Sequence, residues 1–246
     1  MHSSFSTTAF SKRSVSFFLT MVVVILFSTS NAQDNRPSKV GWLYLENTHS
    51  LDDRWKLNTD LHVRSLDDFA GFGDLLFRNW IDYQIVDNLT IGAGYAYLGQ
   101  WNSDYAAPDL YYTENRLFQQ VQHAINVSET STVKQRLRLE QRFFDVPVLP
   151  DYSLRSRYAL NWKKQSSKLI LGIDYVFLEN ELFLNMVGRS LSGNKLFEQN
   201  RAYGGFGFEI FRNNEIELGS YYQIQNDAYQ DTNHSFIFQL RIKTTL

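Results

Sequence analysis

Apolar and polar residues alternate with a period of two along most of the chain, and the alternation is sharpest between Thr113 and Trp162. Glu114, Arg116, Phe118, Gln120 and Gln122 share one face of a first run; Leu117, Val121, Ile125 and Val127 take the other, with Gln119 and His123 among them. Arg136, Arg138, Glu140 and Arg142 then oppose Val133, Leu137, Leu139 and Phe143, and Arg155, Arg157, Asn161 and Lys163 oppose Leu154, Tyr158, Leu160 and Trp162. Successive side chains of a strand point to opposite sides of a sheet, so each run reads as a strand with one charged and one apolar face. Sequential strands usually neighbour one another, which gathers the arginines and glutamates onto one surface. That surface is no hydrocarbon core; it is a solvated outside or a water-filled inside.

The same reading extends to Lys39–Ser50, Arg54–Ser65, Leu75–Val86 and Leu89–Trp101 on one side. On the other side it gives Lys168–Leu178, Phe197–Phe211, Glu215–Asn226 and Asn233–Lys243. In Lys168–Leu178 the residues Leu169, Leu171, Ile173, Tyr175 and Phe177 form one apolar face, and the continuation to Lys195 is less regular. Short connections alternate with longer ones, as in a meander of hairpins; parallel pairs would need long, usually helical crossovers. The count is eleven. Bacterial single-chain barrels normally hold an even number, so a barrel reading expects either the first segment off the wall or a miscount between Leu178 and Lys195.

The first thirty-two residues read as a cleaved secretory signal peptide. Lys12 and Arg13 precede an apolar run from Val15 to Phe27, and small residues lead to Ser30-Asn31-Ala32. Residues 33–246 then form one domain without an apolar helix, so any membrane crossing falls to strands. A net charge of −2 and no basic region leave nothing for nucleic acid to bind, and the absence of cysteine excludes disulfides and thiolate sites.

Alternation gives two faces without saying which is wet. Runs of about ten to thirteen residues exceed the usual soluble strand of about five or six and suit a tilted bilayer span. Aromatics make up 15% of the chain, and Trp42, Trp101, Tyr111, Tyr112, Phe143, Phe144 and Trp162 sit near strand ends, where interfacial girdles lie. Arginine facing lipid near the midplane costs about 2–4 kcal/mol, so in a barrel the charged face must line the lumen. The expected fold is therefore all-β: a transmembrane, antiparallel, up-and-down β-barrel of about ten to twelve strands in the bacterial outer membrane. Its expected partners are outer-membrane lipids and the barrel-insertion machinery, which would read the amphipathic last strand. A soluble exported β-sandwich binding protein, with every facing inverted, is the alternative.

Five segments carry a resemblance. Glu114-Asn115-Arg116 with Gln119-Gln120, then Arg136-Leu137-Arg138-Leu139-Glu140-Gln141-Arg142, then Arg155-x-Arg157-Tyr158 resemble the central signature of the bacterial family catalogued as domain of unknown function 2490. Glu181-Leu182-Phe183-Leu184-Asn185 and Glu198-Gln199-Asn200-Arg201 resemble its later motifs. The resemblance implies an outer-membrane β-barrel of Gram-negative bacteria and no particular activity.

The candidate site is the charged lumen face: Glu114, Arg116, Arg136, Arg138, Glu140, Arg142, Arg155 and Arg157, joined by Glu198 and Arg201. Its plain reading is a set of cross-strand ion pairs that hold register and close the lumen. Its sharper reading is an anion-attracting constriction, because arginines outnumber glutamates. Enzymatic action is not expected; an outer-membrane lipid hydrolase or deacylase is the alternative, for which His123 and His234 beside Ser235 are the suggestive residues, neither in a nucleophile motif. No cofactor or metal is expected, since His49, His62, His123 and His234 lack ligand spacing, and Asp67, Asp68 and Asp74 lack that of a calcium loop.

Overall fold

The computed structural model describes residues 37–101, 111–145, 151–165, 172–211, 213–227 and 231–246. The expected signal segment lies outside the described residues, as does the whole loop between Trp101 and Tyr111. Eleven strands follow in order: β1 (Ser38–Ser50), β2 (Trp55–Ser65), β3 (Phe72–Val86), β4 (Leu89–Trp101), β5 (Tyr111–Ser128), β6 (Ser131–Asp145), β7 (Tyr152–Gln165), β8 (Tyr175–Val187), β9 (Phe197–Phe211), β10 (Asn214–Asn226) and β11 (Thr232–Thr245). Each bonds to its neighbours in sequence, and β1 returns to β11, so the sheet closes into a barrel. The first segment is part of the wall.

Neighbours in a meander run antiparallel, so the first and last of eleven strands must run the same way. The seam between β1 and β11 is accordingly parallel, from Ser38↔Ser235 to Thr48↔Thr245. This corrects the expectation of a wholly antiparallel wall. Parallel pairing is slightly weaker per residue, and the seam has an added clasp. After β2 the chain passes through Asp68 and Phe69, both at positive φ (51° and 59°), and the Phe69 ring lies against Gly41 and 6.2 Å from that of Phe238. Gly41 and Phe238 pair across the seam, and a side chain on Gly41 would collide with the clasping ring.

A second correction concerns β8. The eighth strand runs from Tyr175 through Leu182, Leu184 and Met186 to Val187; the start of the expected run, up to residue 171, lies outside the described residues, and residues 172–174 are not strand. Tyr175 and Phe177, expected on an outer apolar face, are buried inside with Glu181, Phe183 and Asn185. Glycines make room for them. Gly207 pairs with Tyr175 and Gly205 with Phe177 on the adjacent strand, and a Cβ on either glycine would run into the facing ring.

Elsewhere the alternation sorts as read. Outward positions are mostly exposed and apolar, among them Ile81, Ile91, Leu117, Val121, Leu137, Leu139, Leu178, Leu218, Phe236 and Phe238, with cross-strand polar pairs such as Gln119–Gln141 and Asn180–Asn200 between them. At one end of the barrel Phe72, Trp101 and Tyr111 form an outer aromatic run with centroids 4.7 and 4.5 Å apart, continued by Phe143 and Tyr152. Trp42 and Tyr112, expected in such a girdle, are instead buried inside.

Candidate functional site

The barrel interior holds the site. Its centre is an unbroken alternation of guanidinium and carboxylate running across β5 to β9. Arg116 Nε donates to Glu114 at 2.6 Å, and Arg142 Nε donates to the same carboxylate at 2.5 Å. Arg142 and Arg155 then donate through Nη1 to Glu198 Oε1 at 3.2 and 3.0 Å. Arg155 Nη2 reaches Glu140 at 2.6 Å, and Arg157 Nη1 reaches its other oxygen at 2.7 Å. Arg157 Nη2 and Arg136 Nη2 both donate to Glu181, at 2.9 and 2.7 Å.

Alternation along each strand aims these side chains inward, and the register brings them level: Glu140 pairs with Arg155 and Arg138 with Arg157 across β6 and β7. Several of the bonds skip strands. Arg142 and Glu198 belong to β6 and β9, and Arg136 and Glu181 to β6 and β8, so the chain cuts chords through the lumen as well as lining it. Charges this deeply buried are tolerable only when paired, and here each carboxylate serves two arginines.

Two expected members stand apart from the alternation. Arg138, 1% exposed, donates through Nε and Nη2 to the neutral amide of Gln120 at 3.1 and 2.7 Å, and its Nη1 stays 3.7 Å from Glu140. Arg201 donates through Nε to Gln223 at 2.9 Å and lies over the rings of Trp42 and Phe183.

Further polar centres were not legible as members of the site. On β1 to β3, Arg78 holds Asp60 through two nitrogens at 2.8 and 2.6 Å, while Tyr44 donates to Asp60 at 2.9 Å and His62 Nε2 sits 2.9 Å from Arg78 Nη2. Asp82 accepts from Asn58, Trp80 and Gln120. Around β10, Tyr175 donates to Glu215 and Glu217 at 2.5 and 2.9 Å, Lys163 lies 3.3 Å from Glu215, and Lys243 and Arg241 pair with Glu217. Their signal was the same two-residue alternation, with opposite charges one strand apart, as at Asp60↔Arg78 and Glu217↔Arg241.

Aromatic packing fills much of what remains. Trp42, Tyr175, Phe177, Tyr203, Tyr221 and Ile237 form one buried cluster, with Tyr203 and Tyr221 stacked at 3.9 Å; Leu76, Trp80, Ala96, Leu98 and Phe118 form another. Between them lies a polar cavity of about 280 Å³. His123 and His234 take no part in this interior chemistry: both are half-buried, one contacting Asn88 at 3.2 Å and the other the Tyr222 hydroxyl at 2.8 Å. Among the described residues no group of three or more His, Asp or Glu side chains is arranged to hold a metal ion.

Comparison with known proteins bears on this geometry at one point. The sequence model of the family described as "Protein of unknown function (DUF2490)" matches residues 40–234, from β1 into β11. No curated protein and no solved structure gives a significant match. The barrel and its buried Arg/Glu network thus belong to a chain that is a member of the DUF2490 family.

Proposed function

We propose that this protein is an outer-membrane β-barrel whose lumen is braced shut, with a structural or transport-like and non-enzymatic role. The observation that carries the reading is the outer wall. Exposed Ile, Leu, Val and Phe side chains recur on strand after strand and enclose a charged interior. Soluble monomers rarely expose contiguous apolar patches beyond a few hundred Å², whereas a lipid-facing wall requires them. The outer aromatic run at one end fits an interfacial girdle, and four of the five connections at the other end, all but that between β7 and β8, are shorter than any at the aromatic end, which fits the usual asymmetry of such barrels.

The lumen network supports closure over conduction. Glu114, Glu140, Glu181 and Glu198 each hold two arginines, and the aromatic clusters occupy the space beside them. Assembly rests on the general insertion machinery reading β11, with Phe236, Phe238 and Leu240 outward; deletion of residues 236–246 abolishes outer-membrane assembly on this account.

Fractionation of cells expressing the full chain tests the reading. A band in the outer-membrane fraction whose mobility shifts on boiling is expected, since closed barrels resist detergent until heated. A soluble band with no shift overturns it. Large, stable single-channel conductance that disappears in Arg138→Ala contradicts the closed lumen.

A further inference from the structure

We propose that the lumen cavity is a binding site for a small phosphate-class oxyanion, held chiefly by Arg201, Arg138 and Arg64. The cavity is lined by eleven lysine and arginine side chains against three carboxylates, Glu46, Glu179 and Glu181. Most of those cations are neutralised from behind by the network described above. Arg201 is not, and Arg138 and Arg64 have only long contacts to a carboxylate and a buried nitrogen without an acceptor.

Arg201 has no carboxylate within ion-pair distance among the described residues. Its Nε donates to the Gln223 amide oxygen at 2.9 Å, and with the Gln199 amide turned to present its oxygen, Nη2 donates there at 2.8 Å. Arg138 is likewise anchored by Gln120, and its buried Nη1 has no hydrogen-bond acceptor. Arg64 is 3.5 Å from Asp74, and its buried Nε also lacks an acceptor. Neutral amides thus fix Arg201 and Arg138 in place without cancelling their charge, while Arg64 has only its long contact to Asp74. The result is pre-organised and electrically incomplete.

Aromatic rings bring Arg201 together with Arg64 and Arg157, while Arg138 lies over Phe118 at 4.2 Å. Arg64 and Arg201 both lie over Trp42, at 4.4 and 4.8 Å from the ring, and Arg201 and Arg157 both lie over Phe183, at 5.0 and 4.5 Å. Stacking on a ring face offsets some repulsion between guanidiniums, but buried charge of one sign still calls for a counter-charge. A planar fork of N–H donors matches an oxyanion with several acceptor oxygens better than a spherical halide. The closed wall surrounds the cavity, so the ligand is a small soluble anion and not a lipid headgroup entering from the side.

The test uses the full-length barrel, unfolded in urea to strip any bound anion and refolded in detergent in chloride buffer. Inorganic phosphate is titrated calorimetrically at fixed ionic strength, with chloride as the reference. Saturable binding of about one phosphate per chain is expected. Arg201→Gln should weaken it about tenfold or more, because a charge-assisted hydrogen bond is worth at least a decade in affinity, and Arg54→Gln, in the exposed β1–β2 turn, should leave it unchanged. Arg201→Glu supplies the counter-charge within the chain; it should abolish phosphate binding while the heat-shifted gel band persists, which separates loss of the site from loss of the fold. Absence of saturable phosphate binding to the refolded wild type, or undiminished binding in folded Arg201→Glu, overturns the proposal.

Discussion

The barrel's interior has two regions built on different rules. Across β5 to β9 the lumen is held by alternating guanidiniums and carboxylates; beside β1 and β8 to β11 it is held by Trp42, Tyr175, Phe177, Tyr203 and Tyr221 packed over glycines. In the first region facing is enforced by charge, since a guanidinium on the outer wall would have no partner. In the second it is enforced by volume, because a large ring on one strand needs an empty Cβ position on the next. The two means of filling a lumen differ in what disrupts them.

The largest effect is expected where charge does the holding. Glu140 is shared by Arg155 and Arg157, which without it keep one carboxylate each, Glu198 and Glu181, so Glu140→Ala leaves an excess of buried positive charge and should cost about 3–5 kcal/mol in urea unfolding of the refolded barrel. Removal of a charge without repacking is the reason for the size of the loss. In the aromatic region the corresponding break is overfilling. Gly207→Val drives a branched side chain into the Tyr175 ring and should cost about 1–3 kcal/mol, and a second change, Tyr175→Ala, should recover part of that loss. If Gly207→Val is neutral by the same unfolding measurement, the ring is not held where the account puts it.

This contrast also explains how far the sequence could be read. The charged region was legible because Arg136, Arg138, Glu140 and Arg142 have only one tolerable side to face. Tyr175 and Phe177 are apolar and tolerate either side, so periodicity alone placed them outward with Leu169 and Leu171. The information that turns them inward sits on another strand, in Gly205 and Gly207, and becomes visible only with the register between β8 and β9. Trp42 was misassigned to a girdle for the same reason, since position near a strand end does not reveal the two guanidiniums stacked on it. The parallel seam, by contrast, was implicit in the count although the expectation was an antiparallel wall: eleven strands make ten antiparallel steps, and the step that closes them is parallel.

Smaller effects sharpen the boundary between the regions. Tyr175 belongs to both, packing against Phe177 while donating to Glu215 and Glu217. Tyr175→Phe keeps the ring and removes the donor, so it should cost about 1–3 kcal/mol by urea unfolding, less than the loss in Glu140→Ala. Smallest of all is the turn outside both regions. The Asp52 carboxylate accepts from the backbone N–H groups of Arg54 and Trp55 at 2.7 Å each, which holds its pKa below the ordinary aspartate value. A lowered folded-state pKa contributes stability at neutral pH that is lost as pH falls through the carboxylate range. The small midpoint difference between wild type and Asp52→Ala should therefore be present at pH 7 and vanish in acid.

The central claim is the facing of the wall: charge and rings inward, aliphatic side chains outward to lipid. The chain contains no cysteine, so single cysteines can be placed without background. The decisive measurement attaches an environment-sensitive fluorophore at Leu137→Cys, outward, and at Ala159→Cys, inward, in barrels reconstituted into vesicles containing brominated lipid. Strong quenching at position 137 with little at position 159 is the predicted result. Equal exposure of position 137 to aqueous quencher, with no effect of the brominated lipid, would contradict it and return the apolar wall to a soluble assembly.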